Sequence, residues 1–369
     1  MKALCFIVVF TMMSGRPAGT MAQDAKSQDS PSPTITTATL GILTAFQTHP
    51  LVGLGDHHRV AQELDFYAAL IHDPRFSKEV GNVVVEFGDA AQQETIDRYV
   101  AGEDVPYEQL RRVWADTVGW IPTVVALGYI NFYAEVRAVN LGLPPEQRIH
   151  VWLGDPPIDW SKIKTDSDLS LMPDRDRYVA DLIDSRILAK KKKALVIYGT
   201  YHFYGQGSLK ELVEQKYPGA FFVITPYTGF IEKSCSDAFE HNTGAWPKPA
   251  IVSPVRGTLL ASEMRLPGCH VVDSEPAAKM TEAQKAQAAT EEDEISGIDG
   301  DALLYLDNAG SLTWSPFSPD MYLDADFCKE ISRRIRIHGG DPVPWPAVGD
   351  NPMSPQYVRP YGGLDAEKK

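Results

Sequence analysis

Two strand-like segments, each followed by a turn that carries a histidine, constrain the fold of this chain more than any other feature. The apolar run 51–54 precedes Gly-Asp-His-His at 55–58, and the apolar run 194–198 precedes Gly-Thr-Tyr-His at 199–202. In open α/β sheets, ligands bind in the crevice outside the carboxyl ends of the strands. The two turns therefore predict a site at one edge of a largely parallel sheet.

A third strand-like run adds an acid to this predicted site. Residues 82–85 (Asn-Val-Val-Val) lead into Glu86-Phe87-Gly88-Asp89, so we expect a strand over 82–87 with Glu86 near its end. If the three strands are neighbours, His58, Glu86 and His202 share one small volume although they are far apart in the sequence. These three side chains are our candidate catalytic residues.

The segments between these runs alternate between helical and strand-like patterns. Residues 60–72 have apolar side chains at the i, i+3, i+4, i+7 spacing of a helix, and further strand-like runs occupy 148–153, 220–225 and 302–306. This order predicts an α/β fold with a three-layer, largely parallel central sheet, helices on both faces and an added helical layer. Other predicted helices are 90–100, 107–118, 122–140, 175–188, 208–215 and 321–337.

The two ends of the chain differ in composition from its middle. Lys2, the apolar stretch 3–13 and a small-residue region ending at Ala22 match a signal peptide for residues 1–22, cleaved near Ala22. We therefore expect a periplasmic or secreted protein with no membrane span after signal removal. The remaining predicted units are a disordered linker at 23–34, a single α/β hydrolase-like domain at 35–340 with an exposed insertion at 277–300, and a proline-rich tail at 341–369.

Charge and cysteine content narrow the partners and the compartment. The formal net charge of −14 argues against a nucleic-acid partner, since binding to phosphates needs a basic surface. A small-molecule or peptide substrate is expected instead. An oxidising compartment permits one disulfide, and Cys235 with Cys269 is the simplest pair, which leaves Cys328 over.

Two chemical schemes fit the candidate residues. Histidine ionises near neutral pH, and a facing carboxylate can orient its ring or stabilise its cation. In the first scheme one histidine activates water, and the other histidine or Glu86 assists the leaving group. In the second, His58, Glu86 and His202 hold a divalent metal ion that lowers the pKa of a bound water to about 7. A covalent route is not indicated, because the sequence has no Gly-x-Ser-x-Gly elbow.

Supporting residues surround the three candidates, and each also has a purely structural interpretation. Two adjacent histidines in an extended turn cannot both face the site, so we expect one ring to pack elsewhere or bind a second carboxylate. Glu63 lies one helical turn after Arg59 and can also simply form an ion pair with it. The supporting candidates are Asp56, His57, Arg59, Glu63, Asp155, Tyr201 and Tyr204.

The two Gly-x-x-His-type turns and the strand-end glutamate resemble a superfamily that unites erythromycin esterase-like proteins, ChaN-like haem-uptake proteins, and the TraB and Tiki families. The resemblance is nearest to the esterase-like branch over residues 51–155. It implies an α/β core with the histidines and the glutamate as catalytic or metal-associated groups. Asp56 departs from the pattern, because the esterase-like branch has a glutamate after this glycine.

Three functions follow as alternatives from this resemblance. The first is an exported hydrolase that cleaves an ester, lactone or amide by histidine-activated, optionally metal-assisted, attack of water, with His58 as the general base. The second is a periplasmic haem- or iron-binding uptake protein that resembles ChaN. The third is a non-catalytic member that serves as an interaction module.

Overall fold

Eight strands form a single mixed sheet in the computed structural model, which describes residues 32–118, 126–230, 233–255 and 300–339. The strands are β1 (Thr34–Thr37), β2 (Leu51–Asp56), β3 (Asn82–Asp89), β4 (His150–Asp155), β5 (Ala194–Gly199), β6 (Phe221–Pro226), β7 (Ala250–Ser253) and β8 (Ala302–Tyr305). Their order across the sheet is β1-β7-β8-β6-β2-β5-β3-β4.

The central part of the sheet is parallel, as the sequence predicted. The six neighbouring strands from β8 to β4 pair parallel throughout, whereas β7 runs antiparallel to β8, and β1 antiparallel to β7. The sequence did not predict β1 or β7, each of which has only four residues. Thr34, which we had assigned to the linker, is the first residue of β1.

Helices cover both faces of the sheet, which confirms the predicted α/β class. They are α1 (Ala38–Ala45), α2 (Ala61–Ile71), α3 (Pro74–Glu79), α4 (Gln93–Ala101), α5 (Tyr107–Ala115), α6 (Leu127–Leu141), α7 (Arg175–Arg186), α8 (Leu209–Glu214), α9 (Lys233–His241), α10 (Asp320–Leu323) and α11 (Ala325–Ile337). Side chains of α1–α6, α10 and α11 form one large core on one face, and those of α7 and α8 form a second on the other.

The helices on both faces of the sheet explain the uninterrupted apolar runs in the sequence. Every residue of β2 and β5 is buried, with Leu54 facing the larger core and Leu51 facing the core of α7 and α8. Parallel strands covered on both faces carry continuous rather than alternating hydrophobic patterns. Each fully buried aliphatic side chain contributes roughly 1.5–3 kcal/mol of transfer free energy, which favours burial of these runs.

The helix predicted at 321–337 is two helices in the structure. Asp324 has an extended backbone (φ −125°, ψ 97°), and its side chain accepts a hydrogen bond of 2.9 Å from the N–H of Phe327. This carboxylate therefore caps the start of α11 and separates it from α10. Periodicity alone could not reveal the break, because an aspartate is tolerated within a helix as well as at its start.

Several expectations concern residues outside the described segments. These are the signal peptide, the tail 341–369, Cys269, and the insertion 277–300 apart from Gly300. Cys235 is disulfide-bonded, and Cys328 is a free thiol. No helix in the described segments is both long enough and apolar enough to cross a membrane.

Candidate active site

The two histidine-bearing turns leave the sheet side by side. β2 and β5 pair in register along all six residues, from Leu51 opposite Ala194 to Asp56 opposite Gly199. β3 lies on the other side of β5, with Val85 opposite Ile197. The expected meeting of three strand ends at one edge of the sheet is therefore present in the structure.

Glu86 lies at the centre of this edge and is almost fully buried. Its Oε2 accepts a 2.6 Å hydrogen bond from the N–H of Gly199, and its Oε1 accepts a 2.7 Å bond from Arg175. Nε2 of His202 is 3.5 Å from Oε1. The strand predicted over 82–87 extends two residues further, to Asp89, with a register shift against β4 after Val85.

His202 occupies a short 3-10 turn, Thr200–Phe203, directly after β5. Its Nδ1 makes a short hydrogen bond to Oδ1 of Asp176, in the first turn of α7. The ring packs edge-on against Tyr198 at a centroid distance of 5.4 Å. With Nδ1 held by one carboxylate and Nε2 near Glu86, this imidazole has a fixed orientation.

His58 forms a second histidine–aspartate pair on the opposite side of Glu86. Its Nδ1 is 2.8 Å from Oδ2 of Asp56. A Cβ at Gly199 would lie 3.1 Å from Nε2 of His58 and 3.2 Å from Oε2 of Glu86. Glycine at this position thus allows the imidazole to approach the strand and the buried glutamate closely.

Asp56 is held by two phenols as well as by His58. The hydroxyl of Tyr129 donates to Oδ2 at 2.5 Å, and the hydroxyl of Tyr67 lies 3.1 Å from Oδ1. Both tyrosines are completely buried. Burial raises their pKa values well above the usual range, so both remain protonated donors.

The two adjacent histidines point in different directions, as expected. Nδ1 of His57 is 3.1 Å from Oε1 of Glu63, and the His57 N–H donates to Oε2 of the same carboxylate at 3.0 Å. Tyr67 is also within 3.1 Å of Oε2. Burial is the largest influence on Glu63 and raises its pKa. His57 and Glu63 therefore form a buried pair behind Asp56, away from His202.

Arg175 connects Glu86 to Asp155 and was not predicted. Its Nε donates to Oδ1 of Asp155 at 2.8 Å, and Oδ2 of that carboxylate accepts from the N–H of Val118. Arg175 and Asp176 both lie in the first turn of α7, which Asp174 caps. A helix that follows a parallel strand begins near the strand's carboxyl end, so this charged first turn was an available signal.

The other supporting candidates lie at the edge of the cluster. Arg59 donates to the carbonyl of Ser315 at 3.2 Å, and its guanidinium stacks on Phe317 at 4.4 Å. Tyr204 forms a 2.5 Å hydrogen bond with Thr225 at the end of β6. Tyr201 is about half exposed.

Carboxylates surround both imidazoles and raise their pKa values. Burial favours the neutral form of His58, but the hydrogen bond to Asp56 and the charge of Glu86 outweigh it and raise the pKa to about 9. Burial opposes protonation of His202 too, but the charge of Glu86 and the bond to Asp176 raise its pKa to about 9. Despite its burial, Glu86 has a pKa well below the usual range because of His202 and Arg175.

The protonation of the two imidazoles determines what binding of a metal ion at this site would require. Near neutral pH both imidazoles carry a proton on the nitrogen that would have to ligate a metal, and Glu86 is already bound by a guanidinium. No group of three or more His, Cys, Asp or Glu side chains in the described segments has metal-binding geometry. To bind a divalent ion, both imidazoles would have to release a proton, and Glu86 would have to exchange its guanidinium partner.

A cavity of about 760 Å³ lies at the carboxyl ends of β3 and β4. Its lining includes Ala91, just after β3, and Pro157, two residues after Asp155. Trp160 supplies an aromatic wall, and Arg333 and Arg334 in the lining are both paired with Glu330. The cavity has a mixed polar and aromatic surface, and its lining does not include His58, Glu86 or His202.

Comparison with known proteins gives only distant likenesses. No protein-family model matches the sequence, and no curated protein is significantly similar to it. Solved structures with partial similarity include a Bacillus cereus protein (11% identity, TM-score 0.43, covering 74% of this chain and 94% of that one). A second is the type III effector HopBA1 (13% identity, TM-score 0.37, covering 55% of this chain and 88% of that one). A third is ChaN of Campylobacter jejuni, whose structure shows cofacial haem binding (12% identity, TM-score 0.35, covering 55% of this chain and 93% of that one). Likenesses of this extent identify no activity.

Proposed function

We propose that this protein is an exported hydrolase that cleaves an ester, lactone or amide by attack of a water molecule activated by histidine. The observation that carries the proposal is the arrangement of two histidine–aspartate pairs around one buried glutamate. Each Nδ1 is bound by an aspartate, so each ring has its Nε2 available on the side of Glu86. A carboxylate on Nδ1 fixes the tautomer and stabilises the cation that forms when Nε2 takes a proton.

In this proposal His58 is the general base and His202 the general acid. The charge of Glu86 is the strongest influence that keeps His202 protonated, and Nε2 of His202 lies 3.5 Å from Oε1 of that carboxylate. The positive charge of His202 in turn lowers the proton affinity of His58. When one proton leaves the cluster, we therefore expect it to leave from His58. His202 then protonates the leaving group.

Glu86 and Arg175 have a fixed electrostatic role. The low pKa of Glu86 makes it a poor proton acceptor near neutral pH. Its two oxygens are occupied by Arg175 and the Gly199 N–H. We therefore assign Glu86 the task of holding the two imidazoles in place, and Arg175 that of anchoring Glu86 to Asp155. Preorganised charges of this kind act without rearrangement during the reaction.

The cavity near the ends of β3 and β4 has surfaces that suit a substrate with a polar part and a flat apolar part. Trp160 and Ile158 offer apolar surface, and the nearby acids and arginines offer hydrogen bonds. Ligand sites commonly combine such surfaces within 300–1,000 Å³. We propose that the part of the substrate that is not cleaved occupies this cavity. Export is part of the proposal and is supported only by the signal-like N-terminus.

Removal of either imidazole tests the proposed function. Purified His58→Ala and His202→Ala variants should hydrolyse aryl esters, lactones or anilides about 10²–10⁴-fold more slowly than the parent chain, the usual contribution of general acid–base catalysis. His72→Ala is the matched control, since His72 is an exposed histidine paired with Glu135. Circular dichroism and thermal unfolding check that all three variants fold.

Three outcomes would contradict the proposal. Turnover that survives both substitutions would exclude the two histidines as the acid–base pair. A sharp haem absorption band that titrates at one equivalent, is lost in His58→Ala or His202→Ala, and comes without hydrolysis of any substrate would favour haem binding instead. A chelator should leave hydrolysis unchanged. Loss of hydrolysis on chelation, with recovery when one divalent ion is added back, would favour the metal scheme.

A further inference from the structure

One hydroxyl group contacts both the carboxylate that binds His58 and the backbone turn that carries it. The hydroxyl of Tyr129 donates to Oδ2 of Asp56 at 2.5 Å and accepts a hydrogen bond from the N–H of Arg59 at 3.2 Å. A tyrosine hydroxyl can donate one hydrogen bond while it accepts another, so both contacts can exist together. Tyr129 lies in α6 and is fully buried.

The turn that Tyr129 contacts has an unfavourable backbone conformation. His58 (φ +43°) and Arg59 (φ +68°) are consecutive non-glycine residues in the left-handed region. Such conformations persist only where the surrounding structure holds them, and they occur preferentially at functional sites. The other end of this turn is held by the guanidinium of Arg59 on Ser315 and Phe317. Tyr129 therefore fixes the end nearer to the imidazole.

The same hydroxyl competes with the imidazole for the negative charge of Asp56. Oδ2 accepts from both Nδ1 of His58 and the Tyr129 hydroxyl. Each additional donor reduces the charge that the carboxylate offers to the imidazolium. Tyr67 acts more weakly, because it is 3.1 Å from Oδ1 and its single proton is shared among Asp56, Glu63 and the carbonyl of Gly55.

We infer that Tyr129 is a positioning residue for His58: its hydroxyl holds the left-handed turn that aims the imidazole and limits the charge that Asp56 presents to it. The inference rests on the proposed function for its catalytic consequence, but not for the contacts themselves. Without this hydroxyl, His58 binds its proton more tightly and less free base is present near neutral pH. The titratable and charged groups around the pair are Glu63, Tyr67, Glu86, Tyr129, Arg175 and His202.

The test compares two tyrosines of the same helix. Tyr133 is as buried as Tyr129, but its hydroxyl donates to the carbonyl of Phe87 at 2.7 Å. Tyr129→Phe should raise the pKa of His58, followed by NMR titration of its ring protons, by at least half a unit. Tyr133→Phe should leave that titration unchanged. In hydrolysis near pH 8, Tyr129→Phe should lower kcat several-fold with little change in KM.

A second substitution at position 129 should keep the fold and shift the pKa of His58 in the opposite direction. Site-specific 3-fluorotyrosine at position 129 preserves the ring and makes the hydroxyl a stronger donor, so the pKa of His58 should fall. Equal effects of Tyr129→Phe and Tyr133→Phe on this titration, or no shift with fluorotyrosine, would overturn the inference. The titration needs no substrate. A shift in the expected direction without any hydrolysis would reject the proposed function and leave the positioning role intact.

Discussion

The two histidine–aspartate pairs reach a similar proton affinity in different ways. Asp56 has a side chain only 2% exposed, and the hydrogen bond to it is the largest influence that raises the pKa of His58. Asp176 is 20% exposed, and for His202 the charge of Glu86 outweighs the bond to Asp176. The inner pair (His58 and Asp56) thus depends on its own carboxylate. The outer pair (His202 and Asp176) depends on Glu86.

This difference teaches which contacts matter for each imidazole. The inner pair is held by two phenols and a left-handed turn, so its geometry is fixed from several elements. The outer pair joins a 3-10 turn to the first turn of a helix. His58 and His202 are similarly exposed (24% and 19%), but Asp176 is 20% exposed and Asp56 only 2%. Water can therefore compensate for loss of the Asp176 carboxylate but not of the Asp56 carboxylate.

Replacing each of the two aspartates should give the largest difference in activity between the two pairs. Asp56→Asn should lower kcat/KM by roughly 10³-fold or more, the scale seen when the buried carboxylate of a serine-protease triad is replaced. Asp176→Asn should cost no more than about 5-fold, since a partly exposed ion pair contributes about 1 kcal/mol or less. Steady-state kinetics of the folded variants measures both. Similar losses for the two variants would contradict the distinction between inner and outer pair.

The pH dependence assigns one limb of the activity profile to each pair. His58 must be unprotonated to act as the base, and its pKa is about 9. Between pH 7 and pH 9, kcat/KM should therefore rise about 25-fold, because the fraction of free His58 grows about 50-fold while about half of His202 loses its proton. Above pH 9 it should fall, because His202 must stay protonated and its pKa is also about 9. An activity maximum near pH 6 would exclude these assignments.

The aspartate variants sharpen this profile further. Loss of the Asp56 carboxylate lowers the pKa of His58, so Asp56→Asn should move the rising limb to lower pH. Asp176→Asn should move the falling limb to lower pH by a smaller amount, because Glu86 still stabilises protonated His202. Profiles in which both variants shift the same limb would show that the two imidazoles titrate as one unit.

A methyl group at the end of β5 should disturb the inner pair more than the outer pair. In Gly199→Ala the new Cβ would lie 3.1 Å from the ring of His58 and 3.2 Å from Oε2 of Glu86, and His202 is not among its nearest contacts. Displacement of a catalytic group by up to 1 Å costs up to about 10²-fold, and we expect about 10-fold here. NMR should show a larger shift of the His58 ring signal than of the His202 signal. The reverse pattern would place the wrong imidazole over Gly199.

Much of the fold could be predicted from the sequence because its signals are local. The strands β2, β3 and β5 are continuous apolar runs, and α2 has clear helical periodicity. β1 and β7 were missed because four-residue edge strands with mixed polarity have no such pattern. Glu86 was placed at a strand end because the apolar run stops there, although pairing with β4 resumes at Asp89.

The candidate site could be predicted only in part. The histidine turns and Glu86 were found because each adjoins an apolar strand, and their catalytic roles stay predictions. Arg175 and Asp176 were missed because they follow a long loop after β4, where the sequence fixes no distance to the other residues. Tyr129 falls in the predicted helix 122–140, whose aromatic side chains could cap a pocket or pack a helical layer. Its hydroxyl contacts depend on how α6 crosses the sheet, which the sequence does not show.

The pairing of β2 with β5 has a consequence for how this site comes into existence. A cut in the loop between α6 and β4 would leave Asp56, His58 and Glu86 on one fragment, and Arg175, Asp176 and His202 on the other. Each fragment alone would contain only one of the two imidazoles His58 and His202, and an incomplete set of counter-charges. Catalysis would return only when the two fragments associate, so fragment complementation would make hydrolysis a direct signal that the middle of the sheet has assembled.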